Sequence, residues 1–130
     1  MLFNNALAHS QTNRNNVAKT YYTQLITEHP RSPLLPDALL EVGELEYNDQ
    51  KFQAALDFFV KIENYPKSKA YPYGLYKSAW CHYNLKQTDL GIQKLSLVVK
   101  KNGPEEQDER KYNLRKEALR DLTLFVGESM

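Results

Sequence analysis

Apolar residues recur along this chain at intervals of three and four, which is the spacing of one face of an α-helix. Between residues 15 and 28 the apolar positions are Val17, Ala18, Tyr21, Tyr22, Leu25 and Ile26. Further stripes, each ended by a proline or a polar turn, predict helices over residues 37–48, 51–64, 72–85, 89–100 and 112–126. No segment shows strict two-residue alternation between hairpin turns, so no strands are expected. The pattern predicts an all-α protein whose short turns join helices into antiparallel pairs.

The predicted helices repeat with a period of 36 residues. The identities at this offset are Pro30, Ser32, Pro36, Leu39, Tyr47 and Asn48, which recur as Pro66, Ser68, Pro72, Leu75, Tyr83 and Asn84. A repeat of this length indicates a stack of small helical units that share a continuous core. We expect one domain over residues 1–130, with units at about 2–35, 36–71 and 72–103 and a final helix at about 112–126. Because both ends match the period poorly, the chain is expected to be part of a longer repeat protein.

The segment 100–111 is the least regular part of the chain. It combines Asn102-Gly103-Pro104 with a run of charged residues that includes Glu109 and Arg110. Such a composition predicts an exposed connector between the last two helices.

Small and large residues alternate at the expected seam of each helix pair. The second unit carries Leu39, Val42, Gly43, Ala55 and Phe59, and the third carries Leu75, Ser78, Ala79, Gly91 and Leu95. This arrangement resembles the tetratricopeptide repeat, whose pattern places a small residue on each helix of the pair. The resemblance implies a right-handed solenoid in which Gly43 approaches Ala55 and Ala79 approaches Gly91. Glu46 and His82 depart from the pattern, because both stand where the family usually has tyrosine.

The linkers between the units carry a second, finer resemblance. Residues 29–32 read His-Pro-Arg-Ser and residues 65–68 read Tyr-Pro-Lys-Ser. Together with the 36-residue spacing, they resemble repeats of bacterial envelope proteins such as the coordinator of the Tol-Pal system and the outer-membrane assembly lipoprotein. This likeness implies a periplasmic or envelope-associated protein that belongs to a multiprotein complex. Without this likeness, a cytoplasmic location is expected.

Composition narrows the function classes. The 17 basic and 16 acidic residues give a net charge of +1, which argues against nucleic-acid binding by counterion release. Apolar runs are too short to span a bilayer, so no membrane insertion is expected. The single cysteine, Cys81, is expected to be a buried hydrophobe. The scattered histidines His9, His29 and His82 lack metal-ligand spacing, and no glycine-rich phosphate loop is present. We therefore expect neither enzymatic activity nor a metal or cofactor.

One aromatic constellation stands out in the third unit. At about 100° per residue, Tyr73, Tyr76, Trp80 and Tyr83 share one face of their helix. In the resembling family, this face lines a concave groove that binds partner segments, and aromatic residues are frequent binding anchors. The candidate groove residues are Leu40, Glu44, Tyr47, Asn48, Tyr73, Tyr76, Trp80, Tyr83, Asn84 and Arg115. In the alternative interpretation, the stripe simply packs against the first helix of the neighbouring unit.

These features leave three functional hypotheses. The first is a protein-interaction module that binds a protein or peptide segment in the aromatic groove. The second is an architectural segment, which forms a homo-oligomer or joins further repeats through its terminal helices. The third, stacking of single-stranded nucleic acid on the aromatic residues, lacks the positive groove that it requires.

Overall fold

The computed structural model describes residues 15–102 and 109–129, and these residues form six helices. The helices are α1 (Asn15–Glu28), α2 (Leu35–Asn48), α3 (Phe52–Ile62), α4 (Tyr71–Asn84), α5 (Thr88–Lys101) and α6 (Glu109–Ser129). No strand occurs in this part of the chain. The all-α class is therefore confirmed. The part of the first unit, expected at about 2–35, that precedes residue 15 lies outside the described residues.

The periodic serine and proline residues define how a new unit starts. The hydroxyl oxygen of Ser32 accepts a hydrogen bond from the backbone N–H of Leu34, and that of Ser68 accepts one from Ala70, both at 3.1 Å. Each serine thus forms a local turn just before a helix. Pro36 and Pro72 then occupy the first turns of α2 and α4, where the missing N–H has no helical partner to lose. Two identities of the 36-residue period are therefore explained by local backbone chemistry.

The turns that end α2 and α4 also have the same geometry. Gln50 and Lys86 have positive φ values of 63° and 66°, in the left-handed region. The backbone N–H of Lys51 reaches the carbonyl of Glu46 at 2.9 Å, and that of Gln87 reaches His82 at 2.7 Å. In each turn the donor is the residue after the left-handed one, and the acceptor lies five residues before the donor. This is the Schellman motif, in which the left-handed residue is usually glycine. The chain makes both turns without glycine.

The helices stack in chain order, and each packs against the next. In addition α4 contacts both α2 and α6, so these three first helices form an inner row. Apolar clusters fill the spaces between successive helices. The cluster between α4, α5 and α6 contains Leu75, Ala79, Leu95, Val98, Leu114, Ala118 and Phe125. The stacked helix pairs expected from the period are thereby confirmed.

Glycines mark the closest approaches in the stack. A Cβ added at Gly91 would lie 3.0 Å from the carbonyl oxygen of Ala79, which agrees with the predicted seam between these two residues. A Cβ added at Gly43 would lie 2.5 Å from the ring of Phe59, so this ring, rather than Ala55, occupies the space beside Gly43. A bulky ring therefore packs directly on bare backbone.

The prediction for segment 100–111 was wrong at both of its ends. Lys101 is the last residue of α5, and Glu109 and Arg110 belong to the first turn of α6. Residues 103–108 lie outside the described part. An acidic residue in the first turn is favourable because it faces the positive end of the helix dipole. The charged run therefore begins a helix instead of continuing a loop. Within the described residues, no helix combines the length and the apolar character needed to cross a membrane.

Candidate functional site

The aromatic stripe of α4 lies in the middle of the inner row. Tyr73, Tyr76, Trp80 and Tyr83 are all half-buried, and all four pack against the cluster between α4, α5 and α6. Part of each ring faces the interior of the stack and part faces solvent. The stripe therefore packs on the neighbouring first helix, as in the alternative interpretation, and keeps some exposed surface.

A single carboxylate organises two of these aromatic residues. The phenol of Tyr76 donates a hydrogen bond to Oδ2 of Asp121 at 2.5 Å, and the indole Nε1 of Trp80 donates to the same oxygen at 3.3 Å. Asp121 lies on α6 and its residue surface is only 6% exposed. Burial, and then the bond to Asp121, raises the pKa of Tyr76 well above its usual range. The phenol therefore stays protonated, and remains a donor, at every physiological pH.

Asp121 was missed by the sequence analysis. It is a charged residue within the buried stripe of α6, between Ala118 and Phe125. A buried carboxylate needs hydrogen-bond donors, and its two donors come from positions 45 and 41 residues earlier in the chain. The available signal was an acidic residue at a stripe position, but the sequence alone does not identify the donors that reach it.

The ring of Phe125 holds the other end of the stripe. Trp80 meets it edge-on at 5.1 Å and 84°, and Tyr83 stacks on it at 4.5 Å and 12°. Trp80 and Tyr83 also meet edge-on at 5.4 Å. Such pairs are favourable beyond the area that they bury. The three rings thus form one aromatic cluster between α4 and α6.

The side of the stripe that faces α2 is polar. Asn84 donates from Nδ2 to the phenol oxygen of Tyr47 at 3.0 Å and to the carbonyl of Trp80 at 2.8 Å. Lys77 lies 5.7 Å above the ring of Tyr47 and 3.8 Å from the carboxylate of Glu44. The helices α2 and α4 are therefore joined by a hydrogen bond, a cation–π contact and an ion pair.

The remaining predicted site residues divide into two groups. Leu40 is half-buried beside the cluster between α2, α3 and α4, and Asn48 is exposed at the end of α2. Arg115 lies apart from the others, because its guanidinium donates to the carbonyl oxygens of Val99 and Asn102 at the end of α5. Its charge stabilises the carbonyl end of that helix. The structure thus brings Glu44 and Tyr47 of α2 to Lys77 and Asn84 of α4, whereas Arg115 lies outside this group.

Acidic residues border the stripe on both sides. Asp37, Glu41 and Glu44 follow one another along α2 at helical spacing. Burial, and then the charges of Glu44 and Asp37, raises the pKa of Glu41. On α6, Glu128 forms a hydrogen bond with Tyr83. Glu44 on α2 and Glu128 on α6 therefore place negative charge on the rim of the stripe.

Two potentially reactive side chains among the described residues, His82 and Cys81, are occupied or buried. Nδ1 of His82 lies 2.8 Å from the side-chain oxygen of Gln87. Cys81 is fully buried, and burial raises the pKa of its thiol to about 12, so it remains a neutral thiol. Among the residues that the structure describes, no three His, Cys, Asp or Glu side chains gather at a potential metal site.

The stacked helix pairs and their small-residue seams define a helical-repeat protein. The sequence profile of the tetratricopeptide repeat family matches residues 2–32 and 73–102. These segments fall in the first and third units, and α2 and α3 form an equivalent pair between them. The chain therefore contains tetratricopeptide repeats in these two segments. No curated protein matches it significantly. Tetratricopeptide repeats generally mediate protein–protein interactions and typically serve as scaffolds rather than enzymes.

Proposed function

We propose that this chain binds a segment of a partner protein along the face formed by α2, α4 and α6, centred on Tyr76 and Trp80. The supporting observation is the hydrogen bonding of both side chains to Asp121. Two anchors held in one orientation lose little conformational freedom on binding, so more of the contact energy appears as affinity. Aromatic rings that are half-buried in advance also offer apolar surface to a partner.

The rim charges support a partner segment that carries basic residues. Glu41 and Glu44 lie on α2, and burial, followed by the like charges of Glu44 and Asp37, raises the pKa of Glu41. A lysine or arginine of the partner would relieve this repulsion and would accelerate association. Asn48 is exposed on the same helix, and its amide offers a donor and an acceptor to an extended backbone.

The test compares charge-matched variants in an affinity purification followed by titration of the recovered proteins. Glu44→Lys alters the proposed face at a side chain that is 37% exposed. Asp57→Lys makes the same change in net charge at an exposed position of α3 and serves as the control. Because Trp80 is the single tryptophan, its fluorescence reports binding directly. We expect Glu44→Lys to weaken binding by about tenfold, the effect of an ion pair worth roughly 1.4 kcal/mol. If the quenching of Trp80 fluorescence gives the same affinity for both variants, the proposed face is refuted.

A second candidate function is architectural and rests on a different surface. Leu119, Leu124 and Val126 of α6 are 44%, 44% and 42% exposed. They favour contact with a further repeat or with a second copy of the chain. Sedimentation of the purified chain distinguishes the two candidates. If the chain is a monomer at all concentrations and Leu119→Lys does not change its sedimentation, the architectural function is contradicted. The proposal of the binding face does not depend on this result.

The linkers support a finer proposal about the cellular setting. Their resemblance to envelope repeat proteins suggests that the module works in a multiprotein complex of the bacterial cell envelope. Fractionation of cells that produce the native protein tests this setting. Recovery only in the cytosolic fraction would contradict it.

A further inference from the structure

The linkers between units form a second surface, at the end of the stack where each new first helix begins. The α1–α2 and α3–α4 linkers lie side by side and enclose a cleft of about 740 Å³. Pro33, Tyr65 and Pro66 give it apolar walls, and Arg31, Lys67 and Lys69 surround them with positive charge. Because the linkers repeat with the units, this surface follows the direction of the stack.

A second cleft continues the first. The segment 66–69 also lines a cleft of about 470 Å³, whose far side carries Tyr71, Lys101 and Asn102. We call the two clefts together the junction furrow. It crosses two spacings between neighbouring first helices, each of about 8–10 Å. An extended peptide of roughly six residues would match this length.

The junction furrow concentrates positive charge in a chain whose net charge is only +1. Arg31, Lys67 and Lys69 are exposed and, within the described residues, none of them forms an ion pair with a carboxylate. Lys101 lies 5.5 Å above the ring of Tyr71. Within the described residues it also forms no ion pair with a carboxylate. Asp37 is the one acidic residue that lines either cleft among the described residues. The charge of the furrow is therefore opposite to that of the rim around Tyr76 and Trp80.

One buried side chain points to the nature of the ligand. Asn102 is only 3% exposed and lines the second cleft. Its side-chain Nδ2 has no hydrogen-bond partner among the described residues. A buried donor without an acceptor costs free energy, which a ligand oxygen would recover.

The geometry points to the junction furrow as a binding site for an acidic, extended segment of a partner protein. Carboxylates of the segment pair with Arg31, Lys67 and Lys69. An apolar side chain rests on Tyr65 and Pro66, and an oxygen of the segment accepts a hydrogen bond from Asn102. The proposed basic segment on the α2–α4–α6 face and this acidic segment occupy different surfaces, so one partner can engage both or two partners can bind together.

The test uses purified protein and a fluorescein-labelled peptide, Glu-Asp-Phe-Glu-Asp-Leu, in a fluorescence anisotropy titration at low salt. The control peptide, Gln-Asn-Phe-Gln-Asn-Leu, has the same size and no side-chain charge. We expect the acidic peptide to bind at least tenfold more tightly than the control. Equal affinities, or no binding of the acidic peptide at millimolar protein, overturn the proposal.

Matched variants locate the bound peptide. The double variant Lys67→Glu, Lys69→Glu reverses two charges of the furrow and is expected to weaken binding at least tenfold. The control is Lys51→Glu, Lys86→Glu, which makes the same change in net charge at exposed residues in the turns at the other ends of the helices. This control is expected to stay within twofold of the wild type. Equal losses in both variants indicate attraction by net charge alone and overturn the site.

Asn102 supplies the last readout. Its side-chain NH₂ signal should shift in a ¹⁵N–¹H spectrum when the acidic peptide is added, and Asn102→Ala should weaken binding by about fivefold, the loss of one net hydrogen bond. An unchanged affinity assigns Asn102 a purely structural role and refutes its part of the proposal. If an oligouridylate of equal charge binds more tightly than the acidic peptide, the occupant is a nucleic acid and the proposal is overturned. If the protein self-associates and the double variant Lys67→Glu, Lys69→Glu abolishes this, the occupant is a second copy of the chain and the proposal is overturned as well.

Discussion

The packing of Phe59 against Gly43 makes a sharp prediction about a single methyl group. In Gly43→Ala the added Cβ would lie 2.5, 2.8 and 3.0 Å from three atoms of the Phe59 ring. These separations are far below ordinary van der Waals contact, and Phe59 is fully buried, so the ring cannot swing into solvent. The two helices must therefore separate, or the ring must leave its preferred rotamer.

Two opposing effects set the magnitude. Overpacking of a core costs about 1–3 kcal/mol, and the shortness of these contacts favours the upper half of that range. Alanine is a better helix former than glycine by about 1 kcal/mol, which offsets part of the cost. We therefore expect a net loss of about 1–2 kcal/mol in the free energy of unfolding. For a chain of this size the midpoint of thermal unfolding should fall by roughly 4–8 °C.

Gly127→Ala is the matched control, because an added Cβ there meets no atom within 4 Å. Propensity alone then acts, and stability should rise by up to about 1 kcal/mol. Urea unfolding followed by far-UV circular dichroism measures both changes. Phe59→Leu should rescue Gly43→Ala in a double-mutant cycle, with a coupling of about 1–2 kcal/mol. If Gly43→Ala stabilises the protein as much as Gly127→Ala does, the close approach of α2 and α3 is refuted.

Three further predictions concern the turns, the acidic stripe and the thiol. Gln50→Gly and Lys86→Gly should each stabilise the protein by about 1 kcal/mol in urea unfolding, because glycine adopts positive φ without strain; a loss of stability would contradict the left-handed geometry. Glu41→Gln should raise stability at pH 7 by roughly 0.5 kcal/mol, since two like-charge helical pairs disappear. The pKa of Glu41 is raised in the folded state, so the fold favours its protonated form, which resembles Gln. The gain in stability from Glu41→Gln should therefore vanish below pH 4.5, the ordinary pKa of the side chain. A gain that persists at lower pH would refute this cause. Cys81 should react with a thiol reagent only as fast as the protein unfolds, and rapid labelling of the folded protein would show that the thiol is accessible.

Much of the fold follows from local patterns. The helix stripes predict all six helices, with ends displaced by up to three residues from those observed. The largest displacements are at the two ends of α6, and at its start Glu109 and Arg110 fall in a segment whose charge predicts a connector. Charged residues form helices readily when a first-turn acid faces the dipole. Charge alone therefore did not distinguish a loop from an exposed helix.

The candidate site was predicted less completely. The stripe of Tyr73, Tyr76, Trp80 and Tyr83 is visible as helical spacing, but whether a neighbour covers it depends on α6. Arg115 was grouped with the site by its position in the repeat, whereas its guanidinium reaches the end of α5. Long side chains can take several directions from one backbone position, so repeat position does not determine their partners.

The sequence by itself determined the units of this protein. Its three- and four-residue spacing defines the helices, and its 36-residue period sets where α2 and α4 begin, through serine turns and first-turn prolines that act within a few residues. Only the tertiary structure decided that Asp121 would receive hydrogen bonds from Tyr76 and Trp80, and that Phe125 would pack beside Gly91. Turns and helices depend on near neighbours along the chain. The meeting of residues more than 40 positions apart depends on how whole helices pack, and close packing selects one register that local spacing does not specify.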